Sequence, residues 1–264
     1  MSPDSHIDAA TLFGLPPGAV SAQRVAKTTL VAPWVDDRAA AKVIDRAVSE
    51  AHLVGILRPE TIAVPAFRDD AREVTDIPVL LVALATSQPP AVSRLAELLH
   101  RGMPRLLVLL LSATLGTESL DATRALRFDS SSTELSLALT RPSKTDSTGA
   151  TSVIEHALRV PVAPLTHGAL HMNRLNTANL WTLYCDLVGA AATEGRMPPA
   201  HVDAAEAVRL HYELARAQTK LATIAREAVT VRSLQRRIDL NEEATHLRAA
   251  LQEMTHTLYG VSKP

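Results

Sequence analysis

Two histidines stand four residues apart in the run His167-Gly-Ala-Leu-His171, a spacing that a helix would turn into one imidazole face. A zinc protease of the H-E-x-x-H type also needs a glutamate as general base, and Gly168 occupies that place. The same glycine weakens the helix, so the pair reads as loop or interface histidines and no metal site is expected. Nuclease chemistry of the restriction-endonuclease kind makes a different demand. It needs an acid on one strand and an acid-x-lysine pair on the next, to hold Mg²⁺ and position the attacking water. Glu73 and Asp76 precede the apolar run 77–85, but the run itself has neither acid nor lysine. None of the five lysines (Lys27, Lys42, Lys144, Lys220, Lys263) follows an acid by two places on an expected strand. The element order below suits such a fold, so a degenerate relative stays open and a working site is disfavoured.

Other chemistries fail on residue type. There is no Gly-Lys-Ser/Thr step and no G-x-G pair, which removes the phosphate-cradling loops, and no G-x-S-x-G elbow for a serine hydrolase. Cys185 is the single cysteine and sits among Leu183, Leu187 and Val188, as a buried, unreactive thiol does. It has no internal disulfide partner, which fits a reducing, cytoplasmic setting. No catalytic residue and no cofactor is expected.

The charged feature that stands out is local. Residues 216–237 hold six bases (Arg216, Lys220, Arg226, Arg232, Arg236, Arg237) against one acid, Glu227. At about 100° per residue on a helix, Arg216, Lys220, Arg226 and Arg237 fall broadly opposite the apolar seam described next. Such a stripe can meet phosphates or an acidic protein surface. No aromatic residue interleaves, so base stacking is not offered, and a plainly solvated face is the simpler reading.

That stripe needs a helix to carry it. Residues 200–259 contain no glycine and no proline. Within them Ala207, Leu210, Leu214, Ala217, Leu221, Ile224, Ala228 and Val231 follow alternating three- and four-residue steps, as do Leu240, Ala244, Leu247, Leu251, Met254 and Leu258. The two frames slip between Arg232 and Asn241. Either one helix of roughly 90 Å turns its seam there, or the segment folds into a hairpin. A seam this long must be covered by the rest of the chain, by a partner or by a second copy. Leu214, Leu221, Leu247 and Leu251 are expected to be largely buried.

Upstream, residues 36–57 read as a helix with Ala40, Val43, Ile44, Ala47, Val48 and Ala51 at helical spacing and Asp36 or Asp37 as cap. The runs TIAVPAF (61–67) and IPVLLVALA (77–85) read as strands, the second buried on both faces. Pro90 suits a first helical turn, 91–101 a helix stopped by Gly102, and RLLVLLLSA (105–113) a further buried strand parallel to 77–85. TRALRF (123–128) and TELSLALT (133–140) alternate as half-exposed strands do. Residues 141–151 have loop composition and 179–192 read as a helix.

Bulk composition agrees with a folded chain. Of 264 residues 47% are hydrophobic, 21% charged and only 3% aromatic, so the core must be built from Leu, Val, Ile and Ala. The 27 basic and 28 acidic residues nearly cancel, which leaves no global footprint for nucleic acid or anionic lipid. The beginning of the sequence lacks the basic start and apolar run of a signal peptide, and no stretch reaches the roughly 20 apolar residues that span a bilayer. No membrane partner is expected.

The segments LFGLPPGAVSAQRVAKTTL (12–30) and SLQRRIDLNEEATHLRAALQEM (233–254) resemble the opening and closing segments of an uncharacterised bacterial family, the domain of unknown function 4391. Between them LRPETIAV, EVTDIPVLLVAL, RGMPRLLVLLLS and ANLWTLYCDLV fall in the order of that family's strands, with its strand-ending Ile-Pro step and late Leu-x-x-x-Tyr helix. The strand region here is poorer in aromatics and lysines than the family pattern. The resemblance implies no activity. It implies a setting: small companions of helicases and DNA methyltransferases in restriction-like, phage-defence loci.

The expected fold is α/β, a mixed-sheet domain over residues 1–195 followed by a long α-helical, coiled-coil-like region over 199–260. The expected role is a non-enzymatic accessory or scaffold subunit of a DNA-processing complex. It would dock through its C-terminal helical region, whose packing seam is Leu210, Leu214, Leu221, Ile224, Leu247 and Leu251, onto a protein partner (a helicase or methyltransferase) or a second copy, with nucleic acid at most a weak partner. The alternatives are a degenerate or weakly active nuclease-like domain and a helix-mediated homodimer with an unrelated binding role.

Overall fold

The computed structural model describes residues 6–113, 115–116, 126–142, 152–165 and 167–260. In chain order the first elements are β1 (His6–Asp8), α1 (Ala9–Phe13), β2 (Val20–Val25), α2 (Lys27–Val31), α3 (Arg38–Ala47), β3 (Val48–Leu57) and α4 (Pro59–Ile62). Then follow β4 (Phe67–Arg68), β5 (Glu73–Val74), β6 (Ile77–Leu84), α5 (Pro89–Gly102), β7 (Val108–Ser112), β8 (Leu115–Gly116) and β9 (Arg127–Asp129). The last are β10 (Thr133–Pro142), β11 (Ser152–Pro161), α6 (Leu180–Ala192), α7 (Ala204–Thr230) and α8 (Leu234–Tyr259).

Six strands form one mixed sheet in the order β11-β10-β7-β6-β3-β2. Only β6 and β7 run parallel, because α5 returns the chain to the same end; the other neighbours are antiparallel. Side chains of one strand alternate between the sheet's faces. Leu80, Val82, Leu107, Leu109 and Leu111 therefore pack with α3 and α5, while Val79, Leu81, Val108 and Leu110 pack with α6 and α7 on the other face. Two covered faces explain why β6 and β7 read as unbroken apolar runs.

Several expectations are met and several are corrected. α5 begins with Pro89 and Pro90 and buries Val92, Leu95, Ala96, Leu98 and Leu99. Gly102 is the helix's last residue, and its missing side chain matters for packing: a Cβ there would lie 2.8 Å from the Trp34 indole nitrogen. Residues 36–57 are not one helix. Asp37 caps α3 by accepting from the Ala39 and Ala40 amides, but the helix stops at Ala47 and 48–57 form β3 between β2 and β6. The run 61–67 is not a strand either: it holds the end of α4, an Ala63 in left-handed conformation and the start of β4. TELSLALT is buried through Leu135–Thr140 rather than half-exposed, because β10 lies between β7 and β11 with helices on both faces. Residues 123–125 and 143–151 lie outside the described residues.

The glycine- and proline-free segment is a hairpin. α7 ends at Thr230, Ser233 caps α8 by accepting from the Arg236 amide, and α8 runs back along α7. Its far end returns to the body, where Leu258 is buried and Arg196 lies over the Tyr259 ring at 5.5 Å.

Candidate functional site

The hairpin divides by what covers its seam. Ala207, Leu210 and Leu214 are buried in the cluster that spans the sheet and α6. Beyond Leu214 the covering changes: Ile224, Leu240 and Ala244 form a separate small cluster with half-buried Leu221, Ala228, Val231 and Leu247. Leu251, also half-buried, rejoins the body's cluster on the return. Of the four leucines expected to be largely buried, only Leu214 is below a tenth exposed. Two helices alone shield one side of a side chain, so the arm between Leu214 and Leu251 buries its seam less completely. At about 1.5 Å per residue, α7 runs roughly 25 Å past Leu214.

The tip of this arm carries three of the six large apolar side chains that stand exposed among the described residues. Val229 is 85% exposed, Leu234 70%, and Ile238 is exposed as well. The six bases of residues 216–237 lie along the same arm. Lys220 is taken by Glu243 of α8 at 2.7 Å and Arg236 by Glu227 of α7 at 2.8 Å, pairs that tie the helices together. Arg237 donates to the Val231 carbonyl at 3.0 Å, closing the turn, and Arg226 lies back on Ala222 and Thr223. Arg216 and Arg232 are exposed and have no ion-pair partner among the described residues. The four stripe residues Arg216, Lys220, Arg226 and Arg237 are thus all on the surface, but Lys220 and Arg237 already serve the hairpin.

A second feature was invisible in the sequence. Between α5 and the edge of the sheet lies a cleft of about 630 Å³. It exists because the residues that face α5 from β10 and β11 are small, Ser136 and Ala157, whereas Leu135, Leu137 and Leu158 fill the opposite side. At its floor His100 is fully buried, with Nε2 3.0 Å from the Ser136 hydroxyl. Burial pushes the imidazole down to about 4, so the ring is neutral at neutral pH. At the rim Arg159 reaches Glu134 at 2.9 Å and donates to the Ser93 hydroxyl at 2.5 Å. Its backbone amide donates to the Tyr212 hydroxyl of α7 at 3.0 Å, which closes a hydrogen bond that the edge strand β11 would otherwise leave open. Arg101 bonds Glu97 at 3.3 Å and lies over the Trp34 ring. For Glu97, burial would raise the carboxyl, but hydrogen bonds and charge from Arg94 and Arg101 outweigh it and hold it below the usual carboxylate range.

The sheet has the nuclease element order but not its acids. The needed order of helix, two antiparallel strands, helix and parallel strand is present as α3, β3, β6, α5 and β7. The first strand, however, is 48–57 rather than 61–67. Glu50 of β3 pairs in register with Ala83 near the end of β6, and β6 offers no acid or lysine beside it. Asp76 lies at the other end of β6, bound by Arg105 at 2.6 Å, and Glu73 faces Arg68 on the surface. His167 and Gly168 form a turn, with Gly168 at φ +71°, so the two histidines do not share a helix face. Among the described residues no group of three or more His, Cys, Asp or Glu side chains is placed to hold a metal. Cys185 is half-buried, and burial first, then the charge of Asp186, pushes its thiol up to about 12, far from a nucleophile's range.

Fold and surface together define a mixed-sheet α/β protein that carries a helical hairpin arm. The profile described as Domain of unknown function (DUF4391) matches residues 13–251. The chain belongs to that family. No curated protein and no solved structure matches it. No helix among the described residues is long and apolar enough to cross a membrane.

Proposed function

We propose that this chain is a non-enzymatic accessory subunit of a DNA-processing, restriction-like complex, docked to a protein partner through the heptad-spaced hairpin arm. The observation that carries the reading is the arm tip, where Val229 and Leu234 stand in water beside Arg232. Exposed apolar side chains beside an exposed arginine suit a partner surface with an apolar centre and an acidic flank. The setting beside a helicase or methyltransferase comes from the family resemblance and is part of the proposal.

The test is co-expression with the helicase or methyltransferase of the same locus, purified through a tag on this chain. A stable complex should form with the wild type and be lost with Val229→Asp plus Leu234→Asp. It should persist with Val35→Asp, since Val35 is as exposed (73%) but belongs to the body. A complex that survives the tip changes defeats the arm as docking site, and a wild-type chain that only pairs with itself points to the homodimer.

A second reading, a degenerate or weakly active nuclease-like domain, is favoured by the α3-β3-β6-α5-β7 arrangement with Glu50 as a lone acid. Metal-dependent nicking lost on Glu50→Gln would support that reading over the first.

A further inference from the structure

The cleft between α5 and β11 has the make-up of a ligand site, independent of the arm. Its volume of about 630 Å³ lies within the roughly 300–1,000 Å³ of small-molecule pockets. Its chemistry is graded from floor to rim. The floor is the mutually bonded, uncharged His100–Ser136 pair. The walls are apolar, from Ala96, Ile154 and Ala157. At the partly exposed rim stand the guanidiniums of Arg101, bound to Glu97, and of Arg159, bound to Glu134. Arg159 uses Nε and one Nη toward Glu134 and Ser93. A guanidinium carries five N–H donors in a fork that suits carboxylate geometry, so Arg159 has donors left for a second anion.

We propose that this cleft binds a small organic monocarboxylate. Its carboxylate would sit on Arg159 at the rim and its apolar body would lie between Ala96 and Ala157, above the His100–Ser136 floor. A free phosphate would leave the apolar walls wet, and an uncharged alcohol would give the remaining Arg159 donors no anion, so both should bind more weakly.

Octanoate, n-octanol and inorganic phosphate separate these cases by calorimetric titration of the full chain. Octanoate should bind at least about tenfold more tightly than either of the others. Arg159→Gln should weaken octanoate by about tenfold or more, and Ala157→Phe, which fills the cleft, should abolish its binding. Equal binding of octanoate to wild type and Ala157→Phe, or no octanoate binding at millimolar concentration, overturns the proposal. Should Ala157→Phe fail to fold, methyl NMR of the wild type decides: octanoate must shift the Ala96, Ile154 and Ala157 methyls, and shifts confined elsewhere refute the site.

Discussion

Along α7, Ala207, Leu210 and Leu214 lie in the cluster that joins the sheet to α6, whereas Leu221, Ile224 and Ala228 meet only the returning α8. The spacing is the same in both halves. A heptad seam declares that a helix face must be covered, but the number of neighbours that converge on it decides how much stability the face contributes. Body and arm thus share one helix and differ in packing depth.

The sharpest way to break this comparison is to delete equal bulk on each side of it. Leu110, wholly buried in β7, should cost about 2–5 kcal/mol as Leu110→Ala, the range of buried leucine truncations. Leu221→Ala, at a half-buried position, should cost about 1 kcal/mol. Urea denaturation of the two variants measures the ratio; equal losses would mean that the arm is cored as deeply as the body.

Next in size is a pH effect confined to the body. His100 is neutral when folded because burial lowers its pKa to about 4 from an ordinary 6.5. The unfolded chain takes up its proton first as pH falls, so the stabilisation is complete above pH 6.5 and is lost progressively between 6.5 and 4. The full loss amounts to about 3 kcal/mol. Thermal melts from pH 7.5 to 4.5 should show it, and His100→Gln should flatten that slope. The ring meets the Ser136 hydroxyl, and the titratable groups that line the same cleft are Glu97, Arg101, Arg159 and Tyr212. An unchanged slope in His100→Gln would assign the acid sensitivity to another group.

Tyr184 gives a smaller effect with a defined cause. Its hydroxyl donates to the Leu107 carbonyl at 2.9 Å and accepts from the Ala138 amide at 3.0 Å, just past the last paired residues of β7 and β10. Burial raises its pKa further still. Tyr184→Phe leaves both backbone groups without that partner, at a cost of about 1–3 kcal/mol, seen as a lower melting temperature with unchanged secondary structure. The smallest expected effect is in the arm: the Lys220–Glu243 pair is solvent-screened, and a double-mutant cycle should find little coupling, less still in high salt. A strong, salt-insensitive coupling would contradict the picture of an exposed arm.

What the sequence told and withheld follows the same division between local and assembled features. β6, α5 and β7 were legible because unbroken apolar runs and Pro90 are local signals. The helix boundary at Ala47 was not, because Val48 and Ala51 continue the spacing of Ala40, Ile44 and Ala47 into a strand that buries Val48, Ala51 and Val54 by sheet contacts instead. β2 and β11 went unread: as edge strands they are half wet and mix polar with apolar residues. The seam was legible but its covering was not, since Ser233, the residue that starts the return helix, is an ordinary polar residue until the hairpin forms. The cleft left no trace. His100, Ser136 and Arg159 come from three elements, and only the sheet order puts them together.

Amide hydrogen exchange tests the central claim directly, on the chain alone and with its co-purified partner. The account predicts that amides of 218–245 exchange through a local opening well below the global unfolding free energy, while α6, β6 and β7 exchange only near it. On partner binding, protection should rise at 226–238 and not on the body. An arm as slow as the body in the free chain, or a complex whose new protection lies away from the tip, would contradict it.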